Sequence, residues 1–325
     1  MPEYLERLTE FGGLPVFDFP DSPDDPVLAG TIPADAESVA WRVAGPGFEV
    51  EVPWPEHFAR FCEHVDTTRV RAFVAGSWGD LADGEHDTSD LVIEAMVAAR
   101  DRFPALRAIF LGDIEPEEAE ISWIRQGPVS ALLAAFPDLT EFVVRGSDEL
   151  SFAPIRHERL EKLTMQAGGL PGAVVRDIAA CDFPALTHLD LWLGTPHYLG
   201  DATIADLAPI LTGDRLPGLK YLALRNSDIQ DDICAALATA PVVARLDTLD
   251  VSMGVLTDTG AAALLAGQPL THLKTLDMHH NYLSPELCAR LRETLEPAVS
   301  LDLDPDDAES YTYDGEVHRY ISVSE

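Results

Sequence analysis

Lysine is nearly missing from this chain: only Lys162, Lys220 and Lys274 stand among its 22 basic residues. That shortage reads as genomic base composition and excludes no function. The shortage of positive charge as a whole excludes more. Fifty-six acidic residues leave a formal charge of −34, spread along the whole chain, and such a surface repels nucleic-acid phosphate and anionic lipid. No run of 18 uncharged apolar residues occurs, so a membrane-spanning helix is not expected. MPEYLERLTE at the start has three glutamates and no basic lead into an apolar stretch, so no signal peptide is expected. Cys62, Cys181, Cys234 and Cys288 lie more than 50 residues apart, a spacing that fits neither a disulfide framework nor a metal knuckle. A reducing cytoplasm is the expected setting. GxGxxG, Walker, HExxH and GxSxG signatures are also missing. The loop GSWGDLADGEHDTSD (76–90) offers Asp80, Asp83, Glu85 and Asp87 without the calcium spacing, and reads as solvated loop.

What is present is a period. Leu273-x-x-Leu276-x-Met278-x-x-Asn281-x-Leu283 repeats 27 residues earlier as Leu246-x-x-Leu249-x-Val251, closing with Leu256. It repeats 27 earlier again as Leu219-x-x-Leu222-x-Leu224, closing with Ile229. Weaker copies begin at Leu186, Leu160, Leu139 and Leu106, with RVRAFVAG (69–76) before them and Leu301 and Leu303 as a final strand. Each period has a strand half, with alternate leucines inward, and a helical half. In LTDTGAAALLAG, Thr257 or Asp258 caps a helix whose apolar face is Ala262, Leu264 and Leu265. In LSPELCARLRETL, Ser284 is the N-cap, Pro285 the first helical residue, and Leu287, Cys288, Leu291 and Leu295 the buried stripe. One such unit cannot bury its own core, so successive units must stack.

These residues resemble leucine-rich repeats of the ribonuclease-inhibitor-like type. LDLWLG (189–194), LALRNSDIQDD (222–232), LDMHHNYLS (276–284) and HRYISVSE (318–325) further resemble a bacterial cytoplasmic repeat family without an assigned activity. The resemblance implies an α/β solenoid, a horseshoe with a parallel inner sheet and outer helices, and a protein that binds other proteins. Residues 69–304 are read as the repeats. Residues 1–68 are read as an N-terminal cap comprising an edge strand in LPVFDF, a hairpin over 38–54 around Gly45-Pro46-Gly47, and a helix over 55–65 carrying Phe58, Phe61, Cys62 and Val65. Residues 305–325 are read as a C-terminal capping hairpin turning at Asp314-Gly315. GGLP at 12–15 and at 168–171 reads as a turn in both places.

The residues between the leucines form columns on the inner face. One column holds Asp190, Ala223, Asp250, Asp277 and Asp302. The next holds Trp192, Arg225, Ser252, His279 and Asp304, and a third holds Leu193, Asn226, Met253 and His280. Strands about 4.8 Å apart would set adjacent aspartates against each other by about 3 kcal/mol at an effective dielectric near 20. Such a column either attracts a cation or is ordinary solvated filler. Asn281 is expected to satisfy backbone groups in its turn. Trp192, with Tyr198, Tyr221 and Arg225, either forms an outward patch or is buried as its loop folds back.

The function read from these columns is non-catalytic binding of a cytoplasmic protein, a basic one being the natural complement. The concave residues taken to carry it are Trp192, Tyr198, Tyr221, Arg225, Asp250, Asp277, His279, His280 and Asp302. No cofactor is expected, and the chain is expected to be a monomer. The alternative is a metal-dependent or accessory enzyme component using Asp277, His279 and Asp302. Asp250, Ser252 and His279 on an open sheet have no oxyanion hole, so nucleophilic catalysis is not expected.

Overall fold

The computed structural model describes residues 6–20, 30–45, 52–79, 88–306, 308 and 310–325. Two compact units divide the chain, Met1–Leu160 and Glu161–Ser324. In each, parallel strands follow one another in chain order with helices in the connections, which makes the fold an α/β leucine-rich-repeat solenoid with a parallel sheet.

In the first unit, β1 (Glu10–Phe11) and β2 (Leu14–Asp18) form an antiparallel pair. Gly12 and Gly13 join them at φ 58° and 72°, the left-handed pair that a two-residue hairpin turn demands. Strands β3 (Ala40–Val43), β4 (Ala72–Ala75), β5 (Ala108–Leu111) and β6 (Glu141–Arg145) then add in parallel. Helices α1 (Trp54–His64), α2 (Asp90–Ala98) and α3 (Ser130–Ala135) lie in the crossovers. The turn and most of the second arm of the hairpin expected over 38–54 lie outside the described residues. Its first arm is the parallel strand β3, and residues 46–51 lie outside the described ones, as do Asp80, Asp83, Glu85 and Asp87.

Both faces of this sheet are covered. On one, Phe58 and Phe61 of α1 meet Trp41, Phe73 and Phe103 through ring contacts. On the other, Phe11, Leu8, Leu14 and Val16 roof Ala40, Ala72, Val74, Ala108, Phe110 and Val143. The roof sits so close that a Cβ on Gly12 would stand 3.1 Å from both Ala72 and Ala108. A buried ion cluster ties it down. Arg42 pairs with Asp113 at 2.6 Å and with Asp18 at 2.9 Å, and Asp113 also faces Arg145 at 3.6 Å. Arg42 also donates to the Leu8 carbonyl. Arg145 lies over the Phe110 ring at 5.2 Å. Burial depresses the Arg145 pKa, with Asp113 acting against that.

In the second unit, β7 (Lys162–Gln166), β8 (His188–Gly194), β9 (Tyr221–Ser227), β10 (Thr248–Asp250), β11 (Thr275–Asp277) and β12 (Ser300–Asp302) run parallel. Leu189, Leu222, Leu249, Leu276 and Leu301 stand directly opposite one another across the ladder. Each strand from β5 to β11 starts two residues after the leucine that opens its period. The connections carry α4 (Gly172–Ala180), α5 (Ile204–Thr212), α6 (Gln230–Leu237), α7 (Asp258–Ala266) and α8 (Pro285–Leu295).

Thr257 and Ser284 cap α7 and α8 through their side chains. Aspartates one repeat earlier reinforce both starts: Asp231 accepts from Thr257 and Gly260, and Asp258 accepts from the Ser284 N–H. This clasp rotates α7, so its buried face is Gly260, Ala261 and Leu264, while Ala262 and Leu265 are only half-buried. In α8 the stripe is Leu287, Leu291 and Leu295, with Cys288 at its margin. Cys234 is fully buried, and burial raises its thiol pKa. A separate hairpin, β13 (Tyr311–Tyr313) and β14 (Glu316–His318), turns at Asp314 and Gly315, both with positive φ.

Replacing Asp113 by Asn leaves Arg42 and Arg145 as buried cations short of their counter-ion. A loss of about 3–5 kcal/mol is expected in urea unfolding, with Arg7→Ala, on the half-exposed rim of the cluster, costing no more than about 1 kcal/mol.

Candidate functional site

The inner-face columns of the second unit meet in one polar cluster, graded in exposure along the chain. Asp190 and Asp250 are buried, Asp277 is 26% exposed, and Asp302 is open to solvent. Arg225 grips Asp190 with two parallel bonds, Nε to Oδ1 at 3.0 Å and Nη2 to Oδ2 at 2.7 Å. Its third nitrogen reaches Asp250 at 3.2 Å. Asp250 also accepts from the Tyr221 hydroxyl at 3.0 Å and from the backbone and hydroxyl of Ser252. Burial raises the Asp190 pKa, and Arg225 opposes that rise. The fork geometry favours both charges, so the pair stays ionised.

The aspartate column has a backbone duty that its spacing conceals. Asp250, Asp277, Asp302 and Asp304 each direct Oδ1 to the N–H two residues on, at 3.0 Å. They close the strand ends as Asx turns do. Asp277 Oδ1 also receives Nδ1–H of His279 at 2.7 Å. Burial lowers the His279 pKa, but Asp277, Asp250 and Asp306 outweigh it and hold the imidazole above its ordinary value.

Trp192 stands on the inner face beside Arg225 but is fully buried there. Arg225 lies over its ring at 5.1 Å, and the loop after β8 folds back. Gly194, at φ 70°, lets Thr195 donate to the Gly168 carbonyl at 2.9 Å, while Leu170 donates to Leu193 at 3.0 Å. A Cβ on Gly169 would fall 1.9 Å from the Tyr198 carbonyl. The second GGLP is thus a seat for this loop, and Tyr198 is only half-buried on it. Tyr221 stacks on His188 with centroids 3.7 Å apart.

His280 also departs from its expected role. Asn226, Met253 and His280 of the third column are covered by residues 320–323, so His280 is buried. Its Nε2–H donates to Tyr320 O at 3.1 Å, Ser322 N donates to Met253 O at 2.8 Å, and Asn226 clamps Val323 from both sides at 2.6 and 2.9 Å. Asn226, Met253 and His280 share a left-handed backbone, with φ of 51°, 64° and 48°. Three residues at the 27-residue beat thus turn toward one strap. Asn281 donates to Met278 O and accepts from Leu283 N within its turn, and donates to Leu303 O of the next repeat.

The repeat pattern does not single out the tyrosines in and beside the terminal hairpin. Tyr311, Tyr313 and Tyr320 are exposed, Tyr313 by 72%. Tyr311 and Tyr320 stack, and their hydroxyls bond to each other. The signal was in YTY, where both alternate positions of a short strand carry aromatics.

Arg225→Met leaves Asp190 buried beside Trp192 without its cation. The expected cost is about 3–5 kcal/mol by urea denaturation, and combining it with Asp190→Asn should recover much of that loss. A pH effect is separately expected at His188, whose pKa burial, aided by Lys162 and Arg225, lowers to about 4. Between about 6.5 and about 4 the unfolded chain binds a proton that the fold refuses, so falling pH favours unfolding. His188→Phe keeps a ring on Tyr221 and should remove this share. Its stability relative to the parent should rise from pH 7 to pH 4 and level off below.

No protein-family model and no curated protein matches the chain. Among solved structures, a protein from Bacteroides fragilis superposes with TM-score 0.69 at 32% identity, over 74% of this chain and 68% of its own. A crystal structure of an internalin from Listeria monocytogenes matches at TM-score 0.39 and 16% identity, over 74% of this chain and 56% of its own. At that level the second likeness carries no argument. The chain belongs to the family of the Bacteroides fragilis protein.

Proposed function

We propose that the protein is a non-catalytic scaffold whose second unit binds a basic segment of another bacterial cytoplasmic protein. We read its repeats as the ribonuclease-inhibitor-like type, on the strand-and-helix period of 27 residues. The observation that carries the reading is the acidic end of the inner sheet. Asp302, Asp304 and Asp306 are exposed there, next to the half-buried Asp277. Exposed tyrosines at 311, 313 and 320 stand in the same unit, residues well suited to anchoring an interface. Trp192, Asp250 and His280 leave the contact set because they are buried. Tyr221 and Arg225 serve mainly to hold Asp190 and Asp250 in place.

No helix among the described residues is long and apolar enough to cross a membrane. A partner steered by surface charge should bind more weakly as salt rises, because the Debye length shrinks from about 10 Å at 0.1 M to about 3 Å at 1 M. The test is recovery of partners by the purified chain from the native cell extract at physiological salt, compared with an Asp302→Lys/Asp304→Lys variant and a Tyr313→Ala/Tyr320→Ala variant. The charge-reversed chain should lose at least tenfold of what the parent recovers. Equal recovery by all three chains would remove this surface from consideration.

A further inference from the structure

We propose that residues 320–323 are an exchangeable occupant of a groove on the second unit, and that the groove takes in their place an extended aliphatic segment of another protein. This proposal does not rest on the basic-segment reading. The strap is gripped through its backbone. The Tyr282 hydroxyl accepts from Tyr320 N at 3.0 Å and donates to Tyr320 O at 2.8 Å. His280 Nε2–H donates to the same carbonyl at 3.1 Å. Ser322 N donates to Met253 O at 2.8 Å. The Asn226 amide donates to Val323 O at 2.6 Å and accepts from Val323 N at 2.9 Å.

Two side chains thus each grasp both backbone groups of one passing residue. Every residue but proline carries those groups, so the bonds select an extended conformation rather than a sequence. Side-chain demand falls on alternate positions. Ile321 and Val323 turn inward, 6% and 2% exposed, while Tyr320 is 52% exposed and Ser322 half-buried. Backbone pairing with pockets for every second side chain is how grooves take up an added strand.

The groove is shaped without the strap. Asn226 N–H donates to Ser252 O at 2.9 Å, Met253 N–H to His279 O at 3.0 Å, and His280 N–H to Asp304 O at 2.8 Å. The next repeat therefore fixes their left-handed turns. Release of the strap would bare Asn226 and Met253, both now wholly buried, as an apolar floor with a polar clamp. The approach to the strap is loosely held. Among the described residues β13 and β14 pair only with each other, and all their positions but His318 are exposed. Strap and hairpin can therefore lift away without breaking the repeat ladder. A second copy of this chain is a poorer occupant, because two chains of formal charge −34 repel.

The test uses the full chain and a fluorescein-labelled peptide of residues 318–325, HRYISVSE, read by fluorescence anisotropy. Ile321→Asp/Val323→Asp releases the chain's own strap. The released chain should keep a cooperative thermal transition and bind one peptide saturably. The parent should bind at least tenfold more weakly, since its tethered strap competes at an effective concentration on the order of 1 mM. Asn226→Gly, which suits the positive φ, should weaken binding by the released chain at least tenfold. A peptide carrying the same two aspartates should not bind. It keeps His318 and Arg319, so binding by it would trace to the acidic surface and overturn the groove. The proposal also falls if the released chain loses its cooperative transition, if no peptide binds, if parent and released chains bind alike, or if Asn226→Gly has no effect. Strap exchange between copies, read as dimerisation of the parent at the same concentrations, overturns the assignment to a different protein.

Discussion

A single repeat of this chain leaves an apolar strand face and a row of backbone N–H and C=O groups that only the next repeat can cover. Everything else in the second unit answers to that constraint. It fixes Leu189, Leu222, Leu249, Leu276 and Leu301 opposite one another, because a slip of one residue would turn every leucine to the other face. It also sets where helices begin, since Asp231 and Asp258 reach forward one repeat to close the N-termini of α7 and α8. The stack is held by its apolar rows and registered by its aspartates.

The same demand explains why the inner-face aspartates are less free than their spacing suggests. A strand that stops after three residues, as β10, β11 and β12 do, leaves an N–H just beyond its end. An aspartate two residues earlier can take that N–H with one oxygen. The column thus persists for a structural reason first. Any capacity to attract a cation resides in the second oxygen of each carboxylate.

The fold was legible because the pattern is local: a leucine two residues ahead names each strand start from Leu106 to Leu273, even where the intervals before Leu219 run 33, 21, 26 and 33 residues instead of 27. The direction of side chains on the sheet was legible too, since the two-residue pleat is a property of the strand itself. What lies above the sheet was not. Trp192 points to the inner face as the alternation requires, yet it is buried, because the loop carrying Thr195 closes on Gly168 and Arg225 lies over the ring. His280, Asn226 and Met253 vanish under residues 320–323, and Ala72 and Ala108 under the segment around Phe11. Neither covering segment repeats, so no periodicity announces it, and contacts of such long sequence separation leave no trace in local pattern. The helix faces were half legible. The residues of α7 were right in kind, but the Asp231 clasp on Gly260 selects which side turns inward.

The gradient along the aspartate column follows from this uneven covering. Asp190 is roofed by Trp192 and Arg225, and it is tolerated only because a guanidinium fork meets both its oxygens. Asp250, one step on from Arg225, receives the guanidinium's remaining nitrogen together with the Tyr221 and Ser252 hydroxyls. Asp277 has an imidazole instead of an arginine, and Asp302 has a backbone N–H and water. Compensation thus falls as exposure rises, as desolvation cost dictates: the deeper the carboxylate, the more cation it needs. A single arginine serves the buried end and is used up there. The open end keeps its unbalanced charge, and the raised pKa of His279 registers that imbalance where Asp277 and Asp302 converge.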